Sequence, residues 1–171
     1  MNLSDNMASK KGITVTAIIL VLITGASFLL WIVPEETETT FVVRDYEKYL
    51  DDVQNIHEVL QESIDIEYKN LRNGELSAED YFAITEVTSS QVTAQISEFV
   101  TSKPSKNWQD SYINYMNSMQ KFNEYIIETK VLANLMENEG TEDEINQVLD
   151  KIESLKAESR EYAEISEELR P

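Results

Sequence analysis

Residues 13–33 are rich in apolar side chains and carry no charge, in the run ITVTAIILVLITGASFLLWIV. A helix rises about 1.5 Å per residue, so these 21 residues would extend about 30 Å. That length matches the hydrocarbon core of a bilayer. The sequence therefore predicts one transmembrane helix that begins at Ile13 and ends at Val33.

The charges on the two sides of this segment predict its orientation. Lys10 and Lys11 precede the segment, whereas the acidic run that begins at Glu35 follows it. Because basic flanks stay in the cytoplasm, we expect the N-terminus inside and the C-terminal domain outside the cell membrane. Trp31 lies near the outer end of the segment, where an indole favours the headgroup layer.

These features divide the chain into four parts. We expect a cytoplasmic tail over residues 1–12, the transmembrane helix over 13–33, a polar neck over 34–40 and an extracytoplasmic domain over 41–171. Pro34 follows the anchor directly, and proline ends a helix because it lacks the backbone N–H.

Two other fates of the N-terminal segment compete with a retained anchor. Thr24-Gly25-Ala26 has the small residues of a secretory cleavage site, although the apolar run continues beyond it to Val33. Lys10-Lys11-Gly12, followed at once by apolar residues, resembles the processing site of type IV pilin-like precursors. That resemblance implies cleavage after Gly12, but the glutamate usual at the start of the mature chain is missing.

The composition limits what the external domain is able to do. All but one of the 32 acidic residues and all but two of the 14 basic residues follow residue 34, and the net charge is −18. Such a surface repels nucleic acid, so we expect the partners to be the lipid bilayer and another protein or a second copy. Cysteine is absent, which excludes disulfides, and four glycines are too few for a turn-rich β fold.

The pattern of the first half of the domain predicts two helices. The first extends from Phe41 to about Arg72 and ends at Asn73-Gly74. The second begins after Ser77, which with Asp80 forms a near capping box, and ends near Ser102. The predicted inner face of the first helix is Tyr46, Leu50, Val53, His57, Leu60, Ile64, Glu67 and Leu71, widened by Ile56 and Tyr68. That of the second is Tyr81, Ile84, Thr88, Val92, Gln95 and Phe99.

Two further helices follow. The third is capped by Ser105 or Asn107, and the fourth begins at a capping box of Thr141 and Glu144. The predicted inner face of the third is Trp108, Tyr112, Tyr115, Met119, Phe122, Ile126, Thr129, Ala133 and Met136. That of the fourth is Ile145, Val148, Ile152, Leu155, Ser159, Tyr162, Ile165 and Leu169. Four helices with short loops predict an all-α, antiparallel four-helix bundle behind a single N-terminal transmembrane helix.

Neither catalysis nor a cofactor is predicted. His57 is the only histidine of the chain, which is too few for a zinc site or a helical-bundle di-iron site. The sequence shows no phosphate-binding loop, nucleophile elbow or haem-attachment motif, and so no small-molecule substrate is evident. The aromatic group Trp108, Tyr112 and Tyr115 is more typical of core packing, but a ligand pocket remains the alternative.

One apolar pair of the third helix lies off its inner face. Ile127 and Val131 are one turn apart, well to the side of the main apolar stripe. An apolar patch on so acidic a surface favours protein contact, whereas packing against a neighbouring helix is the alternative. We therefore assign these two residues as the candidate contact with a partner or with a second copy.

Two resemblances refine the expected function. An inner tail, one anchor and an external four-helix bundle resemble the ligand-binding module of chemoreceptors, but this chain lacks their second membrane helix and signalling segment. The run from Lys10 to Ala17 and the acidic, cysteine-free style are similar to small anchored envelope proteins of ammonia-oxidising archaea. This second resemblance implies an accessory subunit of a membrane enzyme such as ammonia monooxygenase. The sequence itself favours a non-enzymatic protein that binds or scaffolds another envelope component, and a pilin-like filament component is the third alternative.

Overall fold

The computed structural model describes residues 43–171, which form four α-helices and, within that range, no strand. They are α1 (Tyr46–Arg72), α2 (Ala78–Thr101), α3 (Gln109–Glu137) and α4 (Glu142–Glu168). Consecutive helices are joined by short connections, and the predicted all-helical bundle is confirmed. The predicted tail, anchor and neck lie outside the described residues.

Helix α1 begins later than predicted. Asp45 has an extended backbone, and its carboxylate accepts a hydrogen bond from the Lys48 backbone N–H at 3.0 Å. An aspartate in this position satisfies one of the free N–H groups at a helix start. The helix therefore begins at Tyr46, and the predicted start at Phe41 is wrong because the cap of Asp45 was overlooked.

The turn between α1 and α2 follows the prediction. Gly74 adopts the left-handed conformation with φ of 70°, and its N–H donates to the Leu71 carbonyl at 3.0 Å. The Glu75 N–H donates to the Asn70 carbonyl at 2.8 Å, which completes a Schellman motif. Ser77 then caps α2, because its hydroxyl accepts from the backbone N–H three residues later at 3.1 Å.

The connection between α2 and α3 departs from the prediction. Lys103, which precedes Pro104, leaves the right-handed helical region with φ of 46°, so α2 ends there as expected. Neither Ser105 nor Asn107 caps α3, however. The N-cap position is occupied by Trp108, without a side-chain hydrogen bond, and a turn leads into it in which the Trp108 N–H donates to the Ser105 carbonyl at 2.9 Å.

Helix α4 begins with the predicted capping box. The Thr141 hydroxyl accepts from the Glu144 backbone N–H at 3.3 Å, and the Glu144 carboxylate accepts from the Thr141 N–H at 2.9 Å. Glu139 provides the preceding left-handed residue with φ of 54°. Two free N–H groups of the helix start are thus satisfied by two side chains.

The core lies between the predicted inner faces, with corrections at their edges. All predicted inner-face residues of α1 from Leu50 to Leu71 are buried, but Ile56 is 47% exposed. In α2, Thr85 is buried in place of the larger Ile84. Near the ends of α3 and α4, Met136 and Leu169 are exposed by 42% and 41%. The predictions for Met136 and Leu169 were wrong because a heptad pattern continued to the end of a helix ignores where the neighbouring helix stops.

Helices α3 and α4 meet along a row of four serines, of which only Ser159 was predicted to lie on an inner face. The hydroxyls of Ser111 and Ser166 each donate to the other residue's carbonyl at 2.8 Å. One heptad further along, the Ser159 hydroxyl donates to the Ser118 carbonyl at 3.0 Å. All four serines are buried. Because three of the four hydroxyls reach the opposite backbone, these two helices lie closer together than larger side chains would permit.

The end of the chain connects α4 to α1. The Arg170 guanidinium donates to Asp51 at 2.8 Å and to Gln54 and Glu167 at 2.7 Å. Farther along the same pair of helices, the Lys156 ammonium donates to Asp65 at 2.5 Å. These polar contacts of long side chains connect α4 and the chain end to α1.

Candidate functional site

Ile127 and Val131 both lie on the surface of α3. Ile127 is 48% exposed and Val131 is 39% exposed, so neither is enclosed by a neighbouring helix. Both positions flank Glu128, whose carboxylate accepts a hydrogen bond from Lys151 of α4 at 2.6 Å. The pair is thus an apolar spot beside an ion pair, and its role as a partner contact remains a prediction.

A larger group of exposed apolar side chains lies on α1 and α2. Ile56, Val59 and Ile66 of α1 are each about half exposed, at 47%, 53% and 48%, and Val87 of α2 is 45% exposed. This group was not predicted, because Ile56 was assigned to the core and only the inner face of α2 was considered. Their spacing in the sequence could have indicated a shared face of α1, because Val59 follows Ile56 by three residues and Ile66 follows Val59 by seven.

The aromatic group is packed on itself and on neighbouring rings. Tyr112 stacks on Phe99 with ring centroids 4.4 Å apart, and its hydroxyl donates to the Tyr46 carbonyl at 2.8 Å. Trp108 meets Tyr112 edge to face at 6.2 Å, and Tyr115 meets Phe99 at 6.1 Å. Tyr112 and Tyr115 are each 3% exposed. These contacts favour core packing over a ligand pocket.

His57 is enclosed by aromatic rings. Its Nδ1 lies 2.9 Å from the Tyr115 hydroxyl, and its ring lies 4.9 Å from that of Phe122. Burial lowers the pKa of His57 from 6.5 to about 4, so the imidazole is neutral at pH 7. Only 2% of the residue is exposed, which leaves a substrate no access to the ring.

A small cavity lies between α1, α3 and α4 and measures about 40 Å³. It is lined by Gln61, Asp65, Phe122, Tyr125, Lys156, Ser159 and Arg160. Small-molecule sites are typically roughly 300–1,000 Å³, so this space has the size of a hydration site. The Asp65 carboxylate there accepts from the Tyr125 hydroxyl at 2.9 Å and from Lys156.

Neither a metal site nor a membrane-spanning helix occurs in residues 43–171. In the range 43–171, His, Asp and Glu side chains do not come together in any group of three able to hold a metal ion. None of the four described helices is long and apolar enough to span a bilayer. The predicted anchor residues, Lys10, Lys11, Ile13, Trp31 and Val33, lie outside the part of the chain that the structure describes.

Comparison with known proteins gives no family for this chain. No protein-family model, no curated protein and no solved structure matches it. The candidate sites therefore depend on the chemistry of the chain's own residues.

Proposed function

We propose that this chain is a non-enzymatic, single-pass membrane protein whose external helical bundle binds or scaffolds another protein of the cell envelope. The observation that carries the proposal is the exposure of apolar side chains on a strongly acidic bundle. Solvated acidic residues keep such a domain soluble, whereas clustered branched apolar side chains gain free energy only when a partner covers them.

The anchor enters the proposal through the sequence alone. The uncharged run from Ile13 to Val33 has the length of a transmembrane helix, and the lysines before it favour a cytoplasmic N-terminus. A bundle attached in this way stays within reach of other envelope proteins, which raises its effective concentration near them. Binding to a membrane-bound partner would therefore require only a modest contact area.

Crosslinking in native membranes tests the proposal. The tagged full chain should capture a reproducible partner, and Ile127→Lys with Val131→Lys should release it without changing helicity or melting. Gln109→Lys with Gln120→Lys is the matched control, since both positions are exposed on α3 and the added charge is equal. Loss of folding in the Ile127 and Val131 variant would assign the pair to the core, and no captured protein at all would refute the function.

The same experiment separates the alternatives. Co-purification with an integral membrane enzyme would favour an accessory subunit. Capture of further copies of this chain alone would favour self-association. The intact mass of the mature protein addresses the third alternative, because pilin-like processing after Gly12 removes 12 residues.

A further inference from the structure

We draw no further inference here: the strongest candidate, the stripe of exposed, uncharged and mostly small residues along the outer face of α2 between Ala83 and Thr101, carries none, because nothing in the structure shows what covers it.

Discussion

Lowering the pH from about 7.5 to about 5 should destabilise the bundle through His57. The imidazole has a pKa of 6.5 in an unfolded chain and about 4 in the folded protein, because burial disfavours its charged form. Between these values the unfolded chain binds more protons, so the free energy of unfolding falls as the pH falls. Integration over this range gives a loss of about 2 kcal/mol at pH 5 and about 3 kcal/mol once the pH is below 4.

The surroundings of His57 make the effect assignable to this one residue. Tyr115 and Phe122 enclose the ring, and neither changes charge between pH 5 and 7.5. Exposed carboxylates also begin to titrate near pH 5, so a variant without the imidazole is needed. His57→Gln removes the titrating group and keeps a hydrogen-bonding partner for the Tyr115 hydroxyl.

Urea unfolding followed by circular dichroism measures the effect in a soluble fragment of residues 41–171. Wild type should lose about 2 kcal/mol more than His57→Gln between pH 7.5 and pH 5. Only the difference in pH dependence matters, so a constant loss of stability in the variant does not affect the test. Parallel pH profiles for the two proteins would refute the argument, because His57 would then be protonated without cost inside the fold.

Three other predictions concern packing and topology. Phe122→Ala should lower the free energy of unfolding by about 3–5 kcal/mol, since Phe122 is 3% exposed, and a loss below about 1 kcal/mol in urea unfolding would contradict its place in the core. Ser166→Leu should cost at least about 1–3 kcal/mol by separating α4 from Ser111, whereas Ser154→Leu on the exposed face of α4 should cost little. Protease added to intact cells without their surface layer should digest the bundle, and complete protection beside a cytoplasmic control would overturn the predicted orientation.

Helix ends were predictable wherever one residue supplies both the conformation and the hydrogen bond. Gly74 is such a residue, because glycine adopts positive φ without strain, and Thr141 with Glu144 is another case. Trp108 could not be predicted as an N-cap, since its side chain makes no capping bond and the preceding turn alone fixes the start of α3.

The interior of the bundle was predictable where large apolar side chains mark it. The α1 stripe from Leu50 to Leu71 is buried as the heptad predicts, even at the polar His57. Ser111 and Ser118 were missed because a search for apolar periodicity passes over small polar residues, although their seven-residue spacing repeats at Ser159 and Ser166. The chemical reason for their burial, hydrogen bonds from serine hydroxyls across the helix pair, appears only when both helices are in place.

The exposure of Ile56 could not have been predicted from α1 alone. Ile56 and Ile84 each resemble core residues on their own helix, yet Ile56 is 47% exposed and Ile84 is only partly buried. Whether a side chain is buried or exposed depends on which helices pack beside it, and the periodicity of one helix does not specify them. Ile56 therefore changed from a predicted core residue to a surface residue once α2 and α3 were in place.

The serine row implies that the two helical hairpins resist opening to different degrees. Helices α3 and α4 form a closely packed pair, joined by hydrogen bonds between serines. In contrast, α1 and α2 bury polar atoms without hydrogen-bond partners, and these atoms would gain hydrogen bonds to water if the two helices separated. Amide hydrogen exchange should accordingly be slowest in α3 and α4 and faster in α1 and α2. A ligand that binds α1 and α2 only when both helices are packed in the bundle would slow amide exchange in these two helices. The exchange rate of the less stable hairpin would therefore measure how much ligand is bound.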